Sequence, residues 1–145
     1  MSASDQRPYR ILFVCMGNIC RSPMASVIAQ NMFGERIAAE SAGISPVYDT
    51  ATPEALAVMS EQGLDLLRHR SRSVHHVDLE PFDVIVALTP SIAARLPPVD
   101  RPERVRVWDI DDPYSGDLAT YRNCAGSIKE KLKTLLIDVK ALADV

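Results

Sequence analysis

In the stretch Cys15-Met16-Gly17-Asn18-Ile19-Cys20-Arg21-Ser22-Pro23, five residues separate a cysteine from an arginine. The apolar run Ile11-Leu12-Phe13-Val14 precedes it and a helical pattern follows, which sets it at a strand-to-helix turn. A loop in that position can turn its backbone N–H groups inward as an anion nest, and the helix N-terminus adds partial positive charge. Met16, Gly17, Asn18, Ile19, Cys20, Arg21 and Ser22 would supply the donors. The Arg21 fork can grip two oxygens of one phosphate. Cys15 would then lie below the phosphorus, where positive surroundings favour the thiolate, the nucleophilic form. Ser22 can donate its hydroxyl to that sulfur. Gly17 allows close approach of the backbone, Asn18 tolerates a left-handed conformation, and Pro23 suits the first helical position. The implied chemistry is nucleophilic attack by sulfur on a bound oxyanion, with no metal or other cofactor required. A single cysteine after an apolar strand is ordinarily core filler. The complete nonamer in its strand–loop–helix setting is what carries the reading. The Gly-x4-Gly-Lys-[Ser/Thr] pattern of a nucleotide-binding loop is absent.

Val14 to Pro23 resembles the signature of the low-molecular-weight protein tyrosine phosphatases. Ser41-Ala42-Gly43, Gly63-Leu64-Asp65 with His69-Arg70-Ser71, and Asp112-Pro113-Tyr114 resemble later blocks of the same family, so the similarity runs from about Arg10 to the C-terminus. The resemblance implies hydrolysis of phosphotyrosine in proteins, and of small aryl phosphates, through a phosphocysteine intermediate. It implies that Asp112, directly before Pro113, protonates the leaving group and then activates water. On the residues alone Asp111 and Asp112 stand nearly level for that role, with Asp109 close by. It also implies a reversible disulfide between Cys15 and Cys20; the other reading of Cys20 is a small residue packed beneath the loop. Tyr48 is the aromatic candidate for one pocket wall, or else an ordinary loop tyrosine. Tyr114 would line the mouth and stack on an aromatic substrate, or else pack on the terminal helix. Ile19 resembles the tyrosine-directed branch of the family, since the phosphoarginine-directed branch carries threonine there. Two rivals stand beside the phosphatase: a thiol-dependent arsenate reductase, and an inactive phosphate-binding module. Relay cysteines expected of the first are missing from Ala87-Leu88-Thr89-Pro90-Ser91, and the second would have lost Cys15 or Asp112.

These residues need a scaffold, and 145 residues with 47% hydrophobic content suffice for one domain with a full core. A net charge of −3 gives no footprint for nucleic acid. No apolar run approaches the ~20 residues of a membrane span. The first nine residues are polar, without a signal-peptide core, and read as a loose tail before a domain over 10–145. Three cysteines make a poor disulfide framework and no zinc-type spacing appears, so a reduced, cytoplasmic monomer is expected.

Strands are expected at Arg10–Val14, Ile37–Ala42, Asp83–Leu88 and Val105–Trp108. Helices are expected over Pro23–Phe33, from Pro53 (capped by Thr52) to a stop at Gly63, from Thr89-Pro90 to Pro97-Pro98, and over Leu118–Ala143. The first helix shows apolar residues Met24, Val27, Ile28, Met32 and Phe33 at helical spacing, and the second turns Leu56 and Met59 inward. The last carries Tyr121, Cys124, Ile128, Leu132, Leu135, Val139 and Leu142 at helical period, which makes Cys124 core. Arg68, His69, Arg70 and Arg72 read as a solvated basic cluster or a docking patch, and His75 and His76 as surface. Alternating strands and helices imply an α/β fold of three layers, a parallel sheet with helices on both faces. The resemblance implies four strands in the order 2-1-3-4, with the phosphate loop after strand 1. Ligands bind where such a sheet reverses its winding, outside the carboxyl ends of the strands. The loop after strand 4 opens at the same edge, so Asp112 can face Cys15.

Overall fold

A computed structural model describes residues 7–143, with side chains described to Leu135. Four strands, β1 (Tyr9–Cys15), β2 (Ile37–Gly43), β3 (Val84–Ala87) and β4 (Val105–Val107), form one parallel sheet in the order β2-β1-β3-β4. Successive strand residues point to opposite faces. Ile11, Leu12, Phe13 and Val14 are nonetheless all fully buried, so both faces of β1 are covered. The helices are α1 (Arg21–Phe33), α2 (Pro53–Glu61), α3 (Pro90–Ala94) and α4 (Leu118–Ala143). Helix α1 packs on β1 and β2 and against α4, α2 packs on α4, and α3 sits beside β3 and β4. Phe13 meets Trp108 with ring centroids 5.8 Å apart, which joins the centre of the sheet to its β4 edge.

The strand order, the parallel pairing and the bounds of α4 agree with the expectation. Several ends differ. Tyr9 leaves the expected tail and pairs with Ile37 at the start of β1; residues 1–6 of that tail lie outside the described residues. Helix α1 begins at Arg21, which puts Pro23 at its third position instead of its first. That position still needs no backbone N–H, because the first-turn donors have no intrahelical partner. Met32 is exposed and faces solvent, while Met24, Ala25, Ile28, Ala29 and Phe33 form the buried stripe of α1. In α2 the inward face is Ala55, Val58 and Met59, with Leu56 only partly buried; Thr52 caps the helix by accepting from the Ala55 N–H. Strands β3 and β4 are shorter than expected, since Leu88 and Trp108 hydrogen-bond as loop residues beyond the strand ends. Tyr121, Cys124, Ile128, Leu132 and Leu135 are buried along α4; the side chains of Val139 and Leu142 lie outside the described residues.

Candidate active site

The loop between β1 and α1 is held by its carbonyls. Ile44 N–H donates to the Cys15 carbonyl at 2.9 Å, Ser45 N–H to Met16 at 2.9 Å and Thr52 N–H to Ile19 at 3.0 Å. The Asn18 carbonyl accepts from His69 Nε2 at 2.7 Å and from the Ser71 hydroxyl at 2.9 Å. In a trans peptide the C=O and the following N–H point in opposite directions, and no described peptide bond is cis. Carbonyls engaged outward therefore turn the N–H groups of Met16, Gly17, Ile19 and Cys20 inward. The anion nest results from these outside donors as much as from the loop's own sequence.

Asn18 anchors the loop from within. It takes φ 58°, the left-handed conformation expected of it. Its Oδ1 accepts from the Arg72 N–H at 3.0 Å, so its Nδ2 faces the other way and donates to Ser22 Oγ at 2.8 Å and Ser41 Oγ at 3.0 Å. Ser22 Oγ lies 2.9 Å from Cys15 Sγ and donates to it when the sulfur is a thiolate, which can only accept; the Ala42 carbonyl is a longer alternative acceptor at 3.4 Å. The Asn18 backbone N–H points to the same sulfur at 3.3 Å. Two donors thus converge on Cys15, which is 2% exposed. Gly43 lets β2 approach this closely: a Cβ there would lie 2.8 Å from the Met16 oxygen and 3.0 Å from the Asn18 nitrogen, both backbone atoms.

The basic segment is not a solvated patch throughout. His69 is half-buried, and burial, reinforced by Arg70 and Arg72, holds its imidazole below the ordinary value, against the opposing pull of the Asn18 carbonyl. The neutral ring donates through Nε2, since a carbonyl can only accept. Arg72 spans Ser41 O and Glu40 while its backbone holds Asn18. Arg68 and Arg70 stay exposed, as do His75 and His76. Composition alone does not separate a bracing segment from a solvated one; the signal in the sequence was the His69-Arg70-Ser71 block.

From the other side, the segment after β4 closes the site. Arg21, 6% exposed, donates Nη1 to the Ile110 carbonyl at 3.0 Å and sets Nη2 3.6 Å from Asp112 Oδ2. The other Asp112 oxygen accepts from the Tyr114 N–H at 3.1 Å. Cys15, Met16, Gly17, Ile19, Cys20, Arg21, Ser45, Val47, Tyr48, Asp112 and Tyr114 line one pocket of ≈ 210 Å³. Asp111 and Asp109 do not line it; Asp111 offers its backbone carbonyl to the Cys124 thiol. Tyr48 and Tyr114 are both exposed and neighbour each other at the mouth, where Tyr48 pushes the Tyr114 phenol up. The structure therefore brings Cys15, Met16, Gly17, Ile19, Cys20, Arg21, Tyr48, Asp112 and Tyr114 to one pocket, with Asn18 and Ser22 behind the loop and Asp109 and Asp111 outside. Sequence reasoning met Ser41, Gly43, His69 and Ser71 in the family-like blocks and Arg72 in the basic cluster, but did not give them their role as supports of the loop. It also missed Tyr121, which is buried on α4 with its hydroxyl 3.3 Å from Cys20 Sγ and 3.1 Å from Thr52 Oγ1. Burial pushes the thiols of Cys20 and Cys124 up, the latter to about 12, and raises the Tyr121 phenol.

Fold and site together define an α/β protein with a cysteine, an arginine and an aspartate facing one pocket. The family model for low molecular weight phosphotyrosine protein phosphatase matches residues 10–144. The chain belongs to this family. It is similar to the solved low molecular weight protein tyrosine phosphatase from T. tengcongensis, with 29% identity and a TM-score of 0.74, over 86% of this chain and 98% of that one. A protein-arginine-phosphatase from Geobacillus stearothermophilus is 31% identical over 89% of this chain and 92% of its own length. A glutaredoxin arsenate reductase from Synechocystis is 28% identical over 90% and 98%. The relatives thus divide among tyrosine phosphatases, arsenate reductases and an arginine phosphatase. Among the described residues no helix is long and apolar enough to cross a membrane.

Proposed function

We propose that this chain is a metal-independent phosphatase that hydrolyses phosphotyrosine in proteins, and small aryl phosphates, through a phosphocysteine. The observation that carries the reading is Asp112: a carboxylate across the pocket from Cys15, beside Arg21, under a mouth walled by two tyrosines. The Cys15 thiolate attacks phosphorus in line while Arg21 and the inward N–H groups hold the equatorial oxygens. The P–O bond to the phenol breaks and Asp112 gives the leaving oxygen its proton. Asp112 then takes a proton from water, which attacks the phosphocysteine and releases phosphate and the thiolate. The apolar side chain of Ile19 in the pocket wall suits a phenyl ring better than a guanidinium.

Arsenate reduction needs a further thiol to carry electrons onward. Cys124 is 7% exposed, its S–H faces the Asp111 carbonyl and its thiol is pushed up to about 12. Those features make Cys124 a poor relay beyond a Cys15–Cys20 pair. The test is p-nitrophenyl phosphate and phosphotyrosine-peptide hydrolysis with EDTA present, beside phosphoarginine hydrolysis and arsenate-dependent thiol oxidation. Turnover of the aryl substrates with little of the other two is the expected result. Arsenate-dependent oxidation without phosphatase turnover would transfer the chain to the reductases.

The same reading includes Cys20 as redox partner of Cys15. Peroxide would convert the Cys15 thiolate to a sulfenic acid; the Cys20 sulfur would then displace water and form the disulfide. The contact of Cys20 with Tyr121 must open first. Full recovery of peroxide-inactivated enzyme by dithiothreitol, with a mass 2 Da below the reduced chain before recovery, is the expected result. Irreversible inactivation with a sulfinate on Cys15 counts against the pairing.

A further inference from the structure

Strands β1 and β3 end side by side: Val14 pairs with Ala87, and the Leu88 N–H donates to the Val14 carbonyl at 3.0 Å. Helix α3, which follows β3, therefore starts beside the oxyanion loop. Arg95, the residue that caps the end of α3, reaches back to it and places Nη1 3.5 Å from Met16 Sδ. Met16 lines the pocket and Arg95 does not, so the Arg95 guanidinium stands one side chain back from the mouth, on the α3 side. A thioether is a weak acceptor, and a guanidinium carries five donors. The contact locates Arg95 without using up its hydrogen-bonding capacity. Arg95 is exposed, and among the described residues it forms no ion pair, whereas Arg10, Arg21, Arg72, Arg104 and Arg122 each face a carboxylate. Of the other exposed lining residues, Ser45, Val47, Tyr48 and Tyr114 are uncharged, while Asp112 holds its carboxylate against Arg21 on the far side.

We propose that Arg95 is a subsite for a substrate carboxylate, so that the enzyme prefers phosphotyrosine flanked by aspartate or glutamate. The proposal rests on the phosphatase reading above. With the phosphate seated on the loop, the substrate backbone crosses the mouth and its neighbouring side chains spread over the rim. Residues along an extended chain are ~3.5 Å apart, within reach of a side chain beside the pocket. A carboxylate on the Met16 side meets the planar fork of Arg95 and can take two parallel hydrogen bonds. The pair is exposed to water, so its effect is modest and salt-sensitive.

The experiment compares kcat/KM for two phosphotyrosine peptides, one with glutamate on both sides of the phosphotyrosine and one with glutamine in the same places. They are run on wild type, Arg95→Gln and Arg95→Glu at low and high salt, with p-nitrophenyl phosphate run on wild type. The wild type is expected to favour the glutamate peptide by about threefold at low salt. The ratio should fall to one in Arg95→Gln and below one in Arg95→Glu. Using the ratio cancels any general effect of the substitutions on folding. Equal rates for the two peptides in wild type, or an unchanged ratio in both variants, overturns the subsite while p-nitrophenyl phosphate turnover keeps the phosphatase reading. Wild type that cleaves neither peptide nor p-nitrophenyl phosphate overturns both.

Discussion

Cys15→Ser is expected to lower kcat on p-nitrophenyl phosphate by at least about 10⁴-fold, the scale on which removing a covalent nucleophile acts. Phosphate and vanadate should still bind. The sulfur is the proposed bond-forming atom, and what surrounds it is a set of donors, the Ser22 hydroxyl and the Asn18 N–H. Donors can hold a thiolate but cannot take a proton from a serine hydroxyl, and His69, the nearest imidazole to the loop, is spent on the Asn18 carbonyl. A serine would therefore stay protonated and inert. Oxyanion binding survives because it rests on Arg21 and on N–H groups fixed by Ile44, Ser45, Thr52, His69 and Ser71. Turnover above about 1% of wild type, after excluding contaminating enzyme, would remove Cys15 from the nucleophile's place.

The second large effect belongs to Asp112. Asp112→Asn is expected to cost about 10²–10⁴-fold in kcat, the usual worth of a positioned general acid. The amide keeps the carboxylate's shape and can still accept from the Tyr114 N–H, so the loop should keep its form. What it cannot do is give a proton to the departing oxygen. The loss should therefore grow as the leaving phenol becomes less acidic, so that phenyl phosphate suffers more than p-nitrophenyl phosphate. Asp111→Asn is the control, expected to stay within about twofold because that side chain is exposed and outside the pocket. If Asp111→Asn shows the loss and Asp112→Asn does not, the acid has been misassigned.

Two features of the site explain how much of it could be read from the chain alone. The loop that carries Cys15 is local: a buried strand, a short turn and a helix start lie within Ile11 to Phe33, and their geometry follows from residues adjacent in sequence. The wider frame was legible for a similar reason, since apolar runs alternate with helical periods and that alternation implies a parallel sheet. Individual ends shifted by a residue or two where tertiary hydrogen bonds override local preference. Pro23, for example, sits two positions deeper in α1 than expected because Cys20, not Ser22, precedes the first helical turn.

The sequence by itself determined the place of Cys15 at the end of β1, the arginine that follows it and the left-handed asparagine between them, because seven positions on one turn leave little freedom. Tertiary structure decided everything that depends on separate segments meeting. Asp111 and Asp112 are chemically alike and adjacent; only the path of the chain after β4 turns Asp112 toward Arg21 and leaves Asp111 outside. The His69 to Arg72 segment looks like solvated charge until its donors are found on Asn18. Tyr121 looks like a core residue of α4, yet its hydroxyl reaches Cys20 and Thr52. Arg95 carries no motif and acquires a place beside the pocket only because parallel strands β1 and β3 end side by side, which brings a residue 79 positions away against Met16. Local spacing encodes what the backbone must do within one turn, whereas contacts across the sheet edge exist only once the strand order is formed.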